Sequence, residues 1–354
     1  MSTVVEQRGL ESAPAAESPR RRRLLGLAGL VALLAVAAVL SLVVGARALT
    51  PAEVWQGLFG DPGTDQRLTE ITLIVQTLRI PRTILAIVAG IALGAAGALI
   101  QGHTRNPIAD TGLLGVNAGA SFAVVLAVYL FGLGNPLQYM WFAFIGTAVA
   151  GVAVFGLSSL GRGAGNPLTL VLAGQGVTVF LASMTVAVAL SDTQSLDVLR
   201  FWNAGSVQGV GYDVIGVAAI FVVVGLVLAV VNTPTINLLN LGDDVARGLG
   251  VNIAAGRTIG VLAVTLLAGA ATAACGPIAF LGLMVAHVAR WLTGPDYRWL
   301  VPFAGLLGGV VLLVCDIAGR LVVRPAELQA GIVVALLGAP FFAALVWLGK
   351  FRQA

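Results

Sequence analysis

RTILAIVAGIALGAAGALI occupies residues 82–100, and RTIGVLAVTLLAGAATAAC occupies residues 257–275. Aligned without gaps, seven of the nineteen positions agree: Arg-Thr-Ile at the start, Gly-Ala-Ala further on, and one later alanine. Just beyond each copy, NPIADTGLLGV (106–116) is echoed by GPIAFLGLMV (276–285). Each copy is close to the roughly 20 apolar residues that cross a bilayer core. Its small residues at four-residue spacing, as in AGIALGAAGAL, suit close helix–helix approach.

Working outward, the rest of the chain reads the same way. It has 354 residues, 58% hydrophobic and 10% charged, far below the roughly 25% charge of a soluble domain. Long continuous apolar runs exclude a β-barrel, whose strands alternate over about ten residues. Ten spans are expected, at about 24–45, 80–101, 112–132, 139–159, 167–190, 212–231, 257–275, 277–292, 300–318 and 328–348. The copies open the second and seventh spans. Five spans separate their starts, so they point in opposite directions. The fold class is therefore an all-α polytopic membrane protein with an inverted-topology repeat, the arrangement that builds transport pathways. Residues 1–23 read as a disordered basic tail, 24–350 as one transmembrane domain, and 351–354 as a short tail.

Charge sets the orientation. The block Arg20–Arg23 keeps the N-terminus in the cytoplasm, and ten spans return the C-terminus there. Thirteen Lys or Arg residues then fall in cytoplasmic segments and seven outside. The net charge of +4 follows from this topology and does not imply nucleic acid. Arg79 and Arg82 fall outside, against the positive-inside rule. They also sit at a helix N-terminus, which already carries partial positive charge.

The only lysine is Lys350, so no G-x-x-x-x-G-K-[ST] phosphate loop is present. Any ATP hydrolysis, with its Mg, belongs to another chain. Cys275 and Cys315 sit in apolar runs as packing residues. His103 and His287 lack a third ligand nearby, so no metal site is expected. Residues 236–256 are polar enough to leave the membrane. Asp243 and Arg247 there form an i,i+4 pair on a short helix, which Gly248 and Gly250 end.

Six stretches together resemble the FecCD family: LRIPRTILA, TRNPIADTGLLGVNAGASF, LRFWNAGS, LGDDVARGLGV, CGPIAFLGLMVAHVARWLTGPDYRWLVP and DIAGRLVVRPAELQAGIVVALLGAPFF. The likeness runs in order from about residue 24 to 350 and leans to the D-type permease subunits of ferric-enterobactin importers. Thr111 departs from the family's frequent second proline, and Ala286 from its common Pro-His. The resemblance implies a type II ABC importer permease in the bacterial cytoplasmic membrane, carrying a ferric siderophore, with haem or cobalamin as alternatives. The implied partners are a second permease (paralogue or identical copy), two ATP-binding subunits, an extracytoplasmic binding protein and membrane lipids.

The same resemblance implies residue roles. Arg79, Arg82 and Arg320, with Arg324 beside them, would meet acidic groups of the binding protein from an exposed mouth. Arg200 and Trp202 are further candidates on the segment before the sixth span. Asp243, Asp244, Ala246, Arg247, Gly248, Leu249 and Gly250 would form the surface coupled to the ATPase. Gln175, Thr178 and Ser183 on the fifth span and Gln329 and Val333 on the tenth would line the pathway. Asp316 lies within an apolar run, where a carboxylate is functional or is partnered by Arg320 one turn away. A secondary ion-coupled transporter is the competing class. It needs buried ionisable residues, and only Asp316 is available.

Overall fold

The computed structural model describes residues 19–347 except 46, 62, 161–166 and 325. Most of the expected N-terminal tail, together with Arg8, Arg162, Lys350 and Arg352, lies outside the described residues. Along the chain run α1 (Pro19–Val43), α2 (Pro51–Phe59), α3 (Gln66–Leu73), a π-helical turn (Ile74–Arg79) and α4 (Ile80–Thr104). A 3-10 turn (Thr111–Leu114) leads to α5 (Val116–Phe131), α6 (Pro136–Ser159), α7 (Pro167–Ala189), α8 (Thr193–Asn203) and α9 (Tyr212–Leu239). Then follow α10 (Asp243–Gly248), α11 (Ile253–Cys275), α12 (Leu281–Thr293), α13 (Tyr297–Val322) and α14 (Ala330–Trp347).

Every expected span is a helix, but two are shorter than a crossing. Among the described residues, eight helical stretches are long and apolar enough to span, including the continuous Gln66–Thr104; α5 and α12 are the shorter apolar helices. The 13 residues of α12 rise only about 20 Å, against a core of about 30 Å. The backbone explains the shortfall. Gly276 (φ 73°) and Phe280 (φ 63°) take left-handed conformations, so residues 276–280 cannot join α11 to α12. Arg105 (φ 48°) and Gly115 (φ 70°) break the chain in the same way between α4 and α5. Both copies thus run long helix, left-handed break, short apolar helix.

α4 and α11 are antiparallel. His103, near the end of α4, packs against Gly260, near the start of α11. At the opposite end, Gln208 borders both the cavity at Arg82 and the one at Cys275. α4 is the axis of the core, with Ala86, Ala89, Ala92, Ala95, Ala96 and Leu99 buried. Its glycines set the spacing: Gly90 and Gly94 lie on the backbone of Ala304–Gly309 in α13, and Gly97 lies on Gly282 of α12. Lipid tails supply no hydrophobic force between helices, so such close van der Waals contact is what holds them. α1, α7 and α14 lie at the periphery and leave apolar faces uncovered, including Val39, Val179, Phe180 and Leu336.

The segment between the first two spans holds two helices not foreseen from hydropathy. Thr50 and Glu53 form a reciprocal capping box on α2, and Asp65 caps α3. Leu49, Val54, Ile71 and Val75 form a small separate cluster beneath them.

Candidate functional site

The polar side chains gather at two opposite ends of the bundle. At one, Arg79 closes the π-helical turn, and Arg82 follows Pro81 where that turn runs on into α4 within the continuous stretch Gln66–Thr104. Arg82 Nε donates to both oxygens of Asp316 at 3.0 Å, and its Nη2 donates to Oδ1 at 2.7 Å. Its Nη1 donates to Glu327 Oε2 at 2.5 Å. Arg320, one turn after Asp316 on α13, donates to the same carboxylate through Nε at 3.0 Å and through Nη2. Asp316 is therefore clamped between two guanidiniums.

The remaining donors solve the charge puzzle of the sequence. α1 ends at Val43, and its last carbonyls have no helical partner and carry partial negative charge. Arg320 Nη1 donates to Ser41 O at 2.8 Å and Val44 O at 3.0 Å. Arg79 Nη1 donates to Val43 O at 2.8 Å and also to Leu42 O, and Nη2 donates to Arg47 O. Arg324 Nη2 donates to Gly45 O at 3.0 Å. Arg79 of the π-helical turn, Arg320 of α13 and, through Gly45 just beyond, Arg324 of the connector after α13 close off the end of α1. They answer to that helix's carbonyls rather than to the start of α4.

This corrects the expected exposed mouth. Arg79, Arg82 and Arg320 are 5%, 9% and 1% exposed, too deep to form an open like-charged surface. Trp202 is also buried. Among the docking candidates, only Arg324 and Arg200 present exposed side chains, and Arg200 lies 3.7 Å from Asp197. A cavity of about 230 Å³ opens beside the cluster, lined by Arg47, Arg79, Arg82, Gln208, Arg320 and Glu327 among others. Three buried guanidiniums there face two carboxylates.

The opposite end is organised around Asp243, the first residue of α10. Arg105, just past α4, and Arg257, in the second turn of α11, both pair with it, Arg257 Nη2 at 2.9 Å. The expected Asp243–Arg247 pair is therefore replaced. Arg247 instead bonds Asp244 Oδ1 at 2.7 Å, because Asp243 is turned inward onto the two repeat helices. Ala246 is also turned inward and fully buried, so it is not part of an open coupling surface. Val245 on α10 and Leu241 and Leu249, which flank it, are exposed, and together they leave an uncovered apolar stripe along this segment. Gly250, at φ 81°, takes the left-handed turn that ends the segment.

Burial pushes the Asp243 carboxyl up, but the Arg105 hydrogen bond and the Arg257, Arg105 and Arg247 charges outweigh it, and the net shift is down. A depressed folded pKa means the ion-paired contribution is complete above the ordinary carboxylate value. It is lost as pH falls through the folded value below it. The thermal stability difference between wild type and Asp243→Asn is expected to be present at pH 7 and to close below about pH 4, as read by melting scans across pH. A difference unchanged at low pH would contradict this.

The pathway candidates are not brought into one place. Gln175 and Ser183 are exposed on α7, on one face with Val179, and Ser183 Oγ donates to Val179 O at 2.9 Å. Thr178 is half-buried beside Gly115. Val333 and Gln329 are half-buried at the start of α14. Gln329 also lines a cavity of about 530 Å³ with Tyr139, Asp197, Trp202 and Gln208 among others. His103 Nε2 lies 2.9 Å from Asn232 Nδ2, and among the described residues no three His, Cys, Asp or Glu are grouped to hold a metal. Sequence reasoning missed Glu327, Ser41 and Arg105 as partners. Glu327 lies in the quoted RPAELQAG stretch, but nothing local says which distant arginine it meets.

An all-helical bundle with an antiparallel repeat, apolar outer faces and polar clusters at its two ends defines a polytopic membrane permease. The family model described as the FecCD transport family matches residues 33–348, and the chain belongs to that family of ABC-transporter permeases. It is 44% identical to the ferric enterobactin transport system permease protein FepD of Escherichia coli (strain K12), over 92% of this chain and 95% of that one. It is 39% identical to the iron(3+)-hydroxamate import system permease protein FhuB of Bacillus subtilis (strain 168), over 89% of this chain and 81% of the relative. Among solved structures it resembles an inward-facing metal-chelate type ABC transporter, with a TM-score of 0.77 and 26% identity over 93% of this chain and 99% of that one.

Proposed function

We propose that this chain is the non-catalytic membrane subunit of an importer that moves a ferric siderophore into the cytoplasm. An extracytoplasmic binding protein delivers the cargo at the Arg82 end. Two ATP-binding subunits drive alternating access from the Asp243 end, and a second permease, paralogue or identical copy, completes the pathway along α7 and α14. In this reading the chain lies in the bacterial cytoplasmic membrane with both termini in the cytoplasm. Gln175, Thr178, Ser183, Gln329 and Val333 face the pathway.

The observation that carries the reading is the braced apolar stripe at the Asp243 end. Leu241, Val245 and Leu249 are uncovered in the chain alone, while Asp243 ties the α10 segment that they lie on and flank to the ends of α4 and α11. A push on the stripe is thereby delivered to both copies of the repeat. The iron cargo is supported by the enterobactin and hydroxamate permeases among the relatives. A secondary transporter would need a buried carboxylate free to exchange a cation, whereas Asp316 is occupied by Arg82 and Arg320.

The test is uptake of ferric enterobactin by the complex reconstituted in proteoliposomes, with haem and cobalamin as competing cargoes. Vanadate is expected to stop uptake and a proton uncoupler is not; the reverse would favour the secondary transporter. Leu249→Asp, which places a charge in an interface core, is expected to lower binding-protein-stimulated ATPase activity about tenfold or more without lowering the melting temperature. Normal stimulated activity in that variant would remove the coupling assignment.

A further inference from the structure

Glu327 stands apart from the other charged groups at the Arg82 end. Asp316 is wholly buried and shared by two arginines. Glu327 is 18% exposed in its side chain, and among the described residues its ion pair is with Arg82 alone. It borders the 230 Å³ cavity, on whose wall Arg79 also lies. The Arg79 guanidinium is held by the carbonyls of Leu42, Val43 and Arg47, with no carboxylate paired to it among the described residues. A carboxylate entering the cavity would meet Arg79, which has no carboxylate partner among the described residues, and Arg82, held by a partly exposed glutamate, with Arg47 and Arg320 also on the wall.

The position of Glu327 in the chain gives such an entry a consequence. It lies on the connector between α13 and α14. That connector is also held by Leu328 N–H donating to Gly319 O at 3.0 Å, and by Arg324 on Gly45 O. At the start of α14, Gly331 N–H donates to Gly205 O at 2.8 Å. The Arg82–Glu327 pair is the one ion pair on the connector among the described residues. Losing it removes the link between α4 and the lead-in to α14.

We infer that Glu327 occupies the place of a partner's carboxylate: an acidic side chain of a docking protein displaces it from Arg82, and the displacement releases the connector that holds α14. The inference rests on the docking reading above. It also accounts for how buried arginines take part in docking, since the exchange site is the cavity wall and not an open surface. Charge pairs of this kind couple strongly where water is partly excluded.

The test uses the full chain in zwitterionic nanodiscs, with a nitroxide on Ala326→Cys, an exposed position; Cys275 and Cys315 are buried. The probe is a tetraglutamate peptide. The peptide is expected to mobilise the label. Glu327→Gln is expected to mobilise it without peptide and to tighten peptide binding about tenfold. Peptide binding with an immobile label would overturn the exchange and leave the docking reading standing. No peptide binding even to Glu327→Gln would overturn both. Mobilisation by phosphatidylglycerol alone, with no response to peptide, would assign the site to a lipid phosphate and overturn the protein partner.

Discussion

Asp316→Ala is expected to destabilise the protein by roughly 3–5 kcal/mol, the cost of stranding buried charge. The carboxylate is 0% exposed and receives hydrogen bonds from Arg82 on α4 and Arg320 on its own helix. Without it, the guanidiniums of Arg79, Arg82 and Arg320 face Glu327 alone. The damage should extend to α1, because Arg320 can hold Ser41 O and Val44 O only while its own charge is balanced. The measurement is thermal unfolding in detergent, with hydrogen exchange of residues 38–48 as the local readout. Asp316→Asn keeps one acceptor and loses the charge, so it should fall between wild type and alanine. An alanine variant that melts with wild type and keeps α1 protected would show that the cluster is hydrated and not structural.

That cluster also marks how far the sequence could be read. Hydropathy located all ten apolar helices, and the gapless match of 82–100 to 257–275 gave the antiparallel pair, because helical spans depend on local composition. The Asp316–Arg320 pair was legible because both residues are on one helix, four apart. The Arg82–Asp316 and Arg82–Glu327 bonds span 234 and 245 residues, and no local spacing reports them. Exposure misled for a related reason. Arg79 and Arg82 lie beside a loop in sequence, which suggests a solvated surface, yet the carbonyls at the end of α1 draw Arg79 inward and the carboxylates of Asp316 and Glu327 draw in Arg82. At the other end, helical spacing suggested Asp243–Arg247, but Arg105 and Arg257 reach Asp243 from flanking helices and leave Arg247 to Asp244.

Glycine substitutions should divide by neighbour and not by sequence context. Gly90 and Gly216 both sit in apolar helices and look alike in the sequence. A Cβ at Gly90 would lie 2.5 Å from Gly308 O and 2.6 Å from Gly309 Cα, both backbone atoms that cannot rotate away. Gly90→Ala must therefore push α4 off α13, and is expected to cost about 1–3 kcal/mol, the usual range for overpacking. In a membrane the loss is not cushioned by hydrophobic association, because separated helices meet lipid as readily as each other. The motion would also carry Arg82 away from Asp316, since both lie on the same pair of helices, so some loss of the ionic cluster should accompany the packing loss. At Gly216 in α9 nothing stands within 4 Å of the added carbon. Gly216→Ala is expected to be neutral or to stabilise by up to about 1 kcal/mol through reduced freedom of the unfolded chain. Melting temperatures of the two single variants check the opposite signs. Equal shifts would mean that the α4–α13 contact is looser than the glycine backbones require.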